Sequence, residues 1–224
     1  MTEQPPSEPL VLTRLRPDDV PALAAMHRRA FSGFFLAQLG EPFLREFYRG
    51  FLADPTAITV VARDGGVHGH PVGVAVGTVA SESFYRRLLT RRWYRFAAAG
   101  AQAAVRDPAV VRRLVRAVRF RGDTPTGLDA ALFASMCVAP ESAGRGVGHL
   151  LANGWADEAH RLGATRGYLT TDRTGNDAVN RFHVRHGWYI ESQYTTPEGR
   201  AMNRYVIDLP RAVDTGPRVE VQAP

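Results

Sequence analysis

Residues 131–151 read Ala131-Leu-Phe-Ala-Ser135-Met-Cys-Val138-Ala-Pro140-Glu-Ser-Ala143-Gly-Arg145-Gly-Val-Gly148-His-Leu-Leu151. An apolar run of strand type stops at Pro140. Glycines then stand at 144, 146 and 148, and Leu151, Trp155, Ala159 and Leu162 follow at helical spacing. Strand, glycine turn, helix is an arrangement that binds phosphate. First-turn amides have no intrahelical acceptor, the helix dipole favours negative charge beside them, and glycine lets an oxygen reach the backbone. Arg145 adds a guanidinium able to bond phosphate bidentately. A tight turn needing glycine for its own dihedrals is the plainer alternative. Two nucleotide motifs are absent: no lysine follows the turn as in a P-loop, and His149 stands where a dinucleotide fingerprint has its third glycine.

Working outward, Val11–Leu15 reads as a short strand. Asp18 or Asp19 caps a helix with Ala22, Leu23, Met26 and Ala30 on one face. A second helix follows Glu41-Pro42, carries Phe43, Leu44, Phe47 and Phe51, and ends before Asp54-Pro55. Ala57–Ala62 and Val72–Val79 form a hairpin. Beyond the core, Tyr168–Thr171 is a strand, and Asn176–His186 a helix stopped by Gly187. Strands Trp188–Tyr194 and Met202–Leu209 flank the turn Thr196-Pro-Glu-Gly199. Residues 1–9 and 210–224 read as flexible ends around a single domain over 10–209.

The 224 residues carry 28 basic and 22 acidic side chains, and every basic one is arginine. That excludes Schiff-base lysines and lysine general bases. A 45% hydrophobic and 22% charged composition is that of a globular chain. The single cysteine, Cys137, excludes an intramolecular disulfide and a cysteine zinc cluster. No metal site is expected; His68-Gly-His70 reads as an ordinary loop. Without a signal-type apolar segment or a run of about 18 apolar residues, the expectation is a cytoplasmic protein with no membrane partner. Arginine without lysine, beside abundant Ala, Gly and Pro, suggests a GC-rich bacterial genome.

The charge is unevenly placed. Residues 82–121 hold eleven arginines and two acids, Glu82 and Asp107, for a local charge of +9, against −3 for the rest. Tyr85, Leu88, Leu89, Trp93 and Phe96 predict one amphipathic helix, with the aromatics Tyr85, Trp93 and Tyr94 on its buried face. Val111, Leu114, Val115 and Val118 predict another, with Arg112, Arg113, Arg116 and Arg119 opposite. The segment reads as a helical lid or homodimer surface with a solvated arginine face. The alternative is recognition of an anionic acceptor by arginine forks.

Ser135-Met-Cys-Val138-Ala-Pro140 followed by Ala143-Gly-Arg145-Gly146-Val147-Gly148 resembles the acetyl-CoA-binding core of the GNAT acetyltransferases. Asn176-Asp-Ala-Val-Asn180-Arg-Phe182-His183-Val-Arg-His-Gly187-Trp188 is similar to that family's second motif, in the expected order and spacing. The resemblance implies an α/β GNAT fold: a mixed sheet of about seven strands with the fourth and fifth splayed, and helices on both faces. The 82–121 segment is then a helical insertion between the third and fourth strands. It also implies direct transfer of acetyl from acetyl-CoA to a primary amine in a ternary complex.

The implied roles fall residue by residue. Backbone groups of Met136 and Val138 pair with the pantetheine arm, and an amide at Met136 or Cys137 faces the thioester oxygen as a one-donor oxyanion hole. The amides of Gly144, Arg145, Gly146, Val147 and Gly148 hold the pyrophosphate, and Asn176 contacts the pantetheine region. Ala143 replaces the motif's leading Gln/Arg, so one side-chain phosphate contact is missing, which Arg145 partly replaces. His183 replaces the tyrosine that protonates the departing thiolate; it acts as imidazolium or is a spectator. Glu82, Asp172 and ordered water are the candidate bases for the amine. Cys137 reads as an inert buried thiol rather than an acyl carrier. Phe31-Ser-Gly-Phe34-Phe35-Leu36 reads as core that also walls the acceptor pocket. The acceptor class read from these features is a small-molecule amine such as an amino sugar, a nucleotide-linked amino sugar or an antibiotic-type metabolite. A protein or RNA amine, or a nucleic-acid-binding module using the arginine segment, is the alternative.

Overall fold

A computed structural model describes residues 10–31, 35–106, 129–197 and 199–210, with backbone alone at 35–36 and 101–106. Its strands are β1 (Val11–Thr13), β2 (Ala57–Asp64), β3 (His70–Thr78), β4 (Ala131–Val138), β5 (Arg166–Asp172), β6 (Tyr189–Thr195) and β7 (Ala201–Asp208). They form one sheet in the order β1-β2-β3-β4-β5-β7-β6. All neighbours are antiparallel except β4 and β5. The helices are α1 (Val20–Ala30), α2 (Phe35–Gln38), α3 (Gly40–Leu52), α4 (Ser81–Arg106), α5 (Val147–Arg161) and α6 (Asp177–Arg185).

Alternation along the strands gives each face of the sheet its own apolar row. On one face α1, α3 and α4 bury Leu23, Met26, Phe43, Phe47, Phe51 and Phe84 against Val61, Val74, Val76 and Cys137. On the other, Val147, Leu151, Trp155 and Ala159 of α5 cover Leu12, Val60, Ala75, Phe133 and Leu169. The mixed sheet with helices on both faces agrees with the fold expected from the two motifs.

Two irregularities in β4 shape the site. Its parallel register with β5 extends only over Ala131↔Gly167 and Leu132↔Tyr168, after which the strands separate. The antiparallel register with β3 shifts between Val76↔Ser135 and Gly77↔Phe133. Ala134 is therefore an extra residue, a bulge that bends β4 where it leaves β5.

The segment after β3 differs from its expected form. One helix, α4, begins at Ser81 and continues through Gly100 to Arg106. The second helix expected after Asp107-Pro108 lies outside the described residues, as do the expected flexible ends 1–9 and 211–224 and most of the Phe31–Leu36 stretch. The buried stripe of α4 is Phe84, Leu88, Phe96 and Ala99, whereas Trp93 and Tyr94 are 63% and 53% exposed. The expectation that Trp93 and Tyr94 face inward is thus corrected. Steps of four residues place Arg92 in line with Phe84, Leu88 and Phe96, and Arg92 meets the buried carboxylate of Glu46 on α3 at 3.3 Å. Phe84 stacks on Phe51 at 4.6 Å, and Phe96 meets Phe43 at 5.0 Å. Gly50 leaves the space that Leu88 fills: a Cβ there would lie 2.3 Å from Leu88 Cδ1.

The arginines of α4 are correspondingly divided. Arg87 donates from Nε and Nη2 to the two oxygens of Asp54, at 2.7 and 2.8 Å. Arg92 and Arg95 both approach Glu46. Arg86 and Arg91 are exposed. Three of the five arginines of α4 whose side chains are described therefore meet carboxylates of the domain. Arg112, Arg113, Arg116 and Arg119 lie outside the described residues.

Candidate active site

The opening between β4 and β5 is lined by backbone that the rest of the sheet does not use. The Ala139 amide donates to the Val72 carbonyl at 2.8 Å, so residue 139 faces β3. Backbone polar groups alternate edges along a strand. Residue 137 therefore also faces β3, while the N–H and C=O of Met136 and Val138 point to the opened edge. Of the two amides considered for the thioester oxygen, this leaves Met136; the Cys137 amide belongs to the β3 ladder. The Cys137 thiol is 1% exposed within the α1–α3 core, and burial pushes it up to about 12. It carries no reactive thiolate at neutral pH.

Beyond β4 the chain makes a one-turn 3₁₀ helix, Pro140–Ser142, and enters the glycine turn. Gly144 and Gly146 adopt φ values of 79° and 77°, the left-handed region that disfavours a Cβ. A Cβ at either position would meet no atom within 4 Å, so the backbone borders open space. Gly146 is the N-cap of α5 and supplies no side-chain cap. Val147 and Gly148 belong to the first turn of the helix, whose leading amides have no intrahelical acceptor. Open space, orphan amides and positive dipole meet at one point, which suits a pyrophosphate. Ala143 is exposed and brings no polar group. Arg145 is paired, its Nη1 donating to Asp64 at 2.6 Å, so phosphate contact from it requires exchange of that partner.

On the other side of the opening, Asn176 precedes α6 as its N-cap residue. Its side-chain amide donates to Thr171 Oγ1 at 2.6 Å and to the Asp172 carbonyl at 3.4 Å. Asn180 donates to the same carbonyl at 3.1 Å, and its own oxygen accepts from the Tyr205 hydroxyl at 3.0 Å. The helix start is thus fixed to the end of β5 by side chains whose backbone spacing alone gives no sign of it. Asn203 on β7 also donates to Asn180, at 3.3 Å; periodicity alone does not single out Asn203 or Tyr205, which the position of β7 beside α6 brings to this helix.

His183 lies under α6 in an aromatic cage. Its ring sits 5.4 Å from Phe182, 5.9 Å from Trp188, 5.8 Å from Tyr205 and 6.4 Å from Phe133. Burial, with a smaller contribution from His186, pushes its pKa down to about 4, and Nδ1 has no hydrogen-bond partner. At neutral pH the ring is uncharged. The cage opposes the imidazolium that an acid at this position would need.

The candidate bases separate in the structure. Both carboxylate oxygens of Asp172 accept from the Arg200 guanidinium, at distances of 2.7–3.0 Å. A base role for Asp172 would require exchange of that partner. Glu82 is exposed in the first turn of α4. Beside it, Ser81 lies near the phenol of Tyr168, the β5 residue at the point of divergence. Tyr168 is 4% exposed, and burial raises its pKa, so its phenol stays protonated. Sequence periodicity did not single out Tyr168, because only the β4–β5 register shows that it stands at the opening. Among the described residues no group of three metal-ligating side chains occurs, and no helix is long and apolar enough to cross a membrane.

A parallel strand pair that opens beside a glycine-turned helix start defines a fold that takes a CoA thioester along its split. The sequence model of the acetyltransferase (GNAT) family matches residues 21–188, and the chain belongs to this family of N-acetyltransferases. Solved structures share the fold at low identity. The ribosomal-protein-S18-alanine N-acetyltransferase from Escherichia coli is 14% identical with a TM-score of 0.54, covering 94% of this chain and 100% of its own. SsHAT is 18% identical with a TM-score of 0.60, covering 87% and 96%. YncA from Salmonella typhimurium, solved with acetyl-CoA, is 14% identical with a TM-score of 0.56, covering 91% and 96%. No curated protein matches the chain by sequence.

Proposed function

We propose that this acetyltransferase moves an acetyl group from acetyl-CoA to the primary amine of a small molecule by direct attack. The observation that carries this reading is the split sheet with polar groups on each side. Unpaired backbone of Met136 and Val138 lines one side, and Tyr168, Ser81 and Glu82 gather at the mouth of the other. When bound, acetyl-CoA supplies the thioester whose acetyl group is transferred.

The Met136 amide is the donor for the carbonyl oxygen, a fixed dipole that needs no reorganisation as charge develops there. Val138 and the Gly144–Gly148 amides set the position of the CoA arm and its phosphates, with Asn176 bordering the same channel. Glu82 accepts the ammonium proton, directly or through water, and orients the amine. The Tyr168 phenol is a neutral donor at the vertex of the opening, a better candidate than caged His183 for delivering a proton to the leaving sulfur. Since a thiol's pKa is about 8.5, that proton helps without being indispensable. The arginines of α4 hold this helix, and with it Glu82, against α3. This use of Arg87, Arg92 and Arg95 favours a small acceptor over a nucleic acid.

Release of free CoA, followed with acetyl-CoA and a panel of primary amines, tests the reading. Turnover with at least one small amine, lowered about tenfold in kcat/KM by Glu82→Gln at unchanged acetyl-CoA affinity, is expected. Acetyl-CoA binding with no turnover of any small amine would reject it.

A further inference from the structure

The β5-β7-β6 half of the sheet has two unlike faces. Tyr205 and Ile207 point into the α5 core. The alternate row points to the face that carries Tyr168. Register identifies its members: Thr170 opposes Arg204 on β7, and Arg204 opposes Ser192 on β6. Neighbours in register project on one side of a sheet, so Thr170, Arg204 and Ser192 form a row across three strands. Arg204 stands one strand, about 5 Å, from the β5 edge that borders the opening.

Arg204 is placed by packing more than by charge. Its guanidinium carbon lies 5.6 Å from the centroid of the Tyr194 ring, and its side chain is 19% exposed. Among the described residues its carboxylate contact is Glu191, at 3.5 Å between Nη1 and Oε2. Charge-assisted bonds of this type close to about 2.7–2.9 Å. The Arg204 Nε is buried without a hydrogen-bond partner, and so is the Ser192 Oγ beside it. Buried polar atoms are nearly always paired, so two adjacent orphans on one rung mark groups built for a partner that arrives from outside. Arg166, whose Nε is also an orphan, differs in that it pairs with Asp208 and Tyr189 at the other end of β5.

We propose that Arg204, with Ser192 beside it, binds a carboxylate of the acceptor, so that the amine delivered to the β4–β5 opening belongs to an amino acid or a closely similar amino-carboxylate. This rests on the reading of the opening as the acetyl-transfer site. The in-plane Nε/Nη2 edge of a guanidinium matches a planar carboxylate with two parallel bonds, and the Ser192 hydroxyl adds a third donor. The Tyr194 ring keeps its place against the guanidinium face. On the same face the Tyr168 phenol lies within electrostatic range of both Arg204 and Glu82. The acceptor's two charges thus find opposite partners: carboxylate on Arg204, ammonium at Glu82. The +9 segment is not required for an anionic acceptor; one arginine in the sheet suffices.

The test compares skeleton-matched acceptors in the CoA-release assay: the proteinogenic amino acids, their decarboxylated amines, their methyl esters and the corresponding aminophosphonates. For the preferred side chain, the amino acid is expected to exceed its decarboxylated amine at least tenfold in kcat/KM. Arg204→Gln should bring the two within about twofold of each other while acetyl-CoA affinity by calorimetry stays the same. Ser192→Ala should narrow the gap, and Arg204→Lys should keep part of it. Equal use of acids and amines by the unaltered protein overturns the proposal, as does a preference that survives Arg204→Gln. A preference for the phosphonate over the carboxylate overturns the carboxylate assignment. Binding is read independently from the arginine Nε–H signal that Arg204→Lys removes. Hydrocinnamate is expected to shift this signal and phenethylamine to leave it, and no shift with hydrocinnamate or acetate overturns the site. Absence of turnover with every amine, beside a shifted Nε–H, would instead remove the small-amine transfer reading and retain the carboxylate site.

Discussion

Leu132 and Tyr168 form the last paired rung between β4 and β5, and every later residue of β4 faces β5 across an opening. From that rung upward β4 behaves as an edge strand on one side and as an interior strand on the other. Proline tests this asymmetry, because it removes one backbone donor. Met136→Pro deletes an amide that the β3 ladder does not use. The expected result is a folded protein, by circular dichroism, whose acetyl-CoA dissociation constant rises at least tenfold. Cys137→Pro deletes an amide that the ladder uses and inserts a ring into the core, so loss of the folded state is expected. Similar behaviour of the two variants would show that the alternation of edges is wrong.

Gly146 holds the α5 N-cap with a φ of 77°. Alanine there costs about 1 kcal/mol in the left-handed region, about 2–4 °C in Tm for a domain of this size. Its methyl also enters the open space beside the orphan amides. Gly146→Ala should therefore weaken acetyl-CoA binding about tenfold, more than its small loss of thermal stability explains. Gly163, also at positive φ but at the far end of α5, provides the control. Gly163→Ala should lower Tm by a similar amount and leave calorimetric acetyl-CoA affinity unchanged.

The parts legible in the sequence are those written in local chemistry. Pro140 and the glycines at 144 and 146 are consecutive signals, and they located the phosphate cradle and the strand before it. Parts that depend on pairing were hidden. Tyr168 is one apolar-strand tyrosine among several until register puts it at the point of divergence. Arg204 and Ser192 are twelve positions apart in the chain and adjacent only across β6 and β7. Trp93 looked internal because aromatic residues bury well in general; the α3 surface selected the Phe84–Leu88–Arg92–Phe96 row instead, through Gly50 and Glu46. The charge count located the arginines of α4 but not their acidic partners, Asp54 and Glu46, which lie on or just beyond α3.

Asp54 is 8% exposed and accepts both bonds from Arg87, which together with Thr56 hold its carboxyl below its usual range despite burial. The folded carboxyl binds its proton less readily than the unfolded one, so the pair's stabilisation is present above the unfolded pKa of about 3.8 and is lost only below it. At pH 7 the clasp is complete. Asp54→Ala removes these charge-assisted bonds and leaves Arg87, a quarter exposed, to be resolvated by water, at a cost of about 2 kcal/mol. It should lower Tm by about 4–8 °C and speed limited proteolysis within α4. It should also cut kcat/KM for the amine, since Glu82 and Ser81 ride on the first turn of that helix. Unaltered proteolysis and amine kinetics would mean that α4 is held by its apolar stripe alone.

His183 and His27 are both buried, and burial lowers each to about 4. Between pH 6.5 and 4 the unfolded chain protonates these rings while the folded chain leaves them neutral, so stability falls as pH drops through that window and is unaffected above it. Each ring contributes a loss of about 3 kcal/mol by pH 4, from 1.36 kcal/mol per pKa unit. His183→Phe keeps an aromatic ring in the cage of Phe133, Phe182, Trp188 and Tyr205 and removes the orphan Nδ1. Denaturant unfolding should therefore show a gain of about 1 kcal/mol at pH 7.5 and a slope between pH 6 and 4.5 reduced by close to one proton. The other proton stays with His27, whose Nδ1 is bonded to Tyr48 at 2.9 Å. Since a neutral caged ring delivers no proton, kcat at pH 7.5 should change by less than about threefold in His183→Phe. A fall of a hundredfold at unchanged acetyl-CoA affinity would return His183 to the role of acid and require the cage to open during turnover.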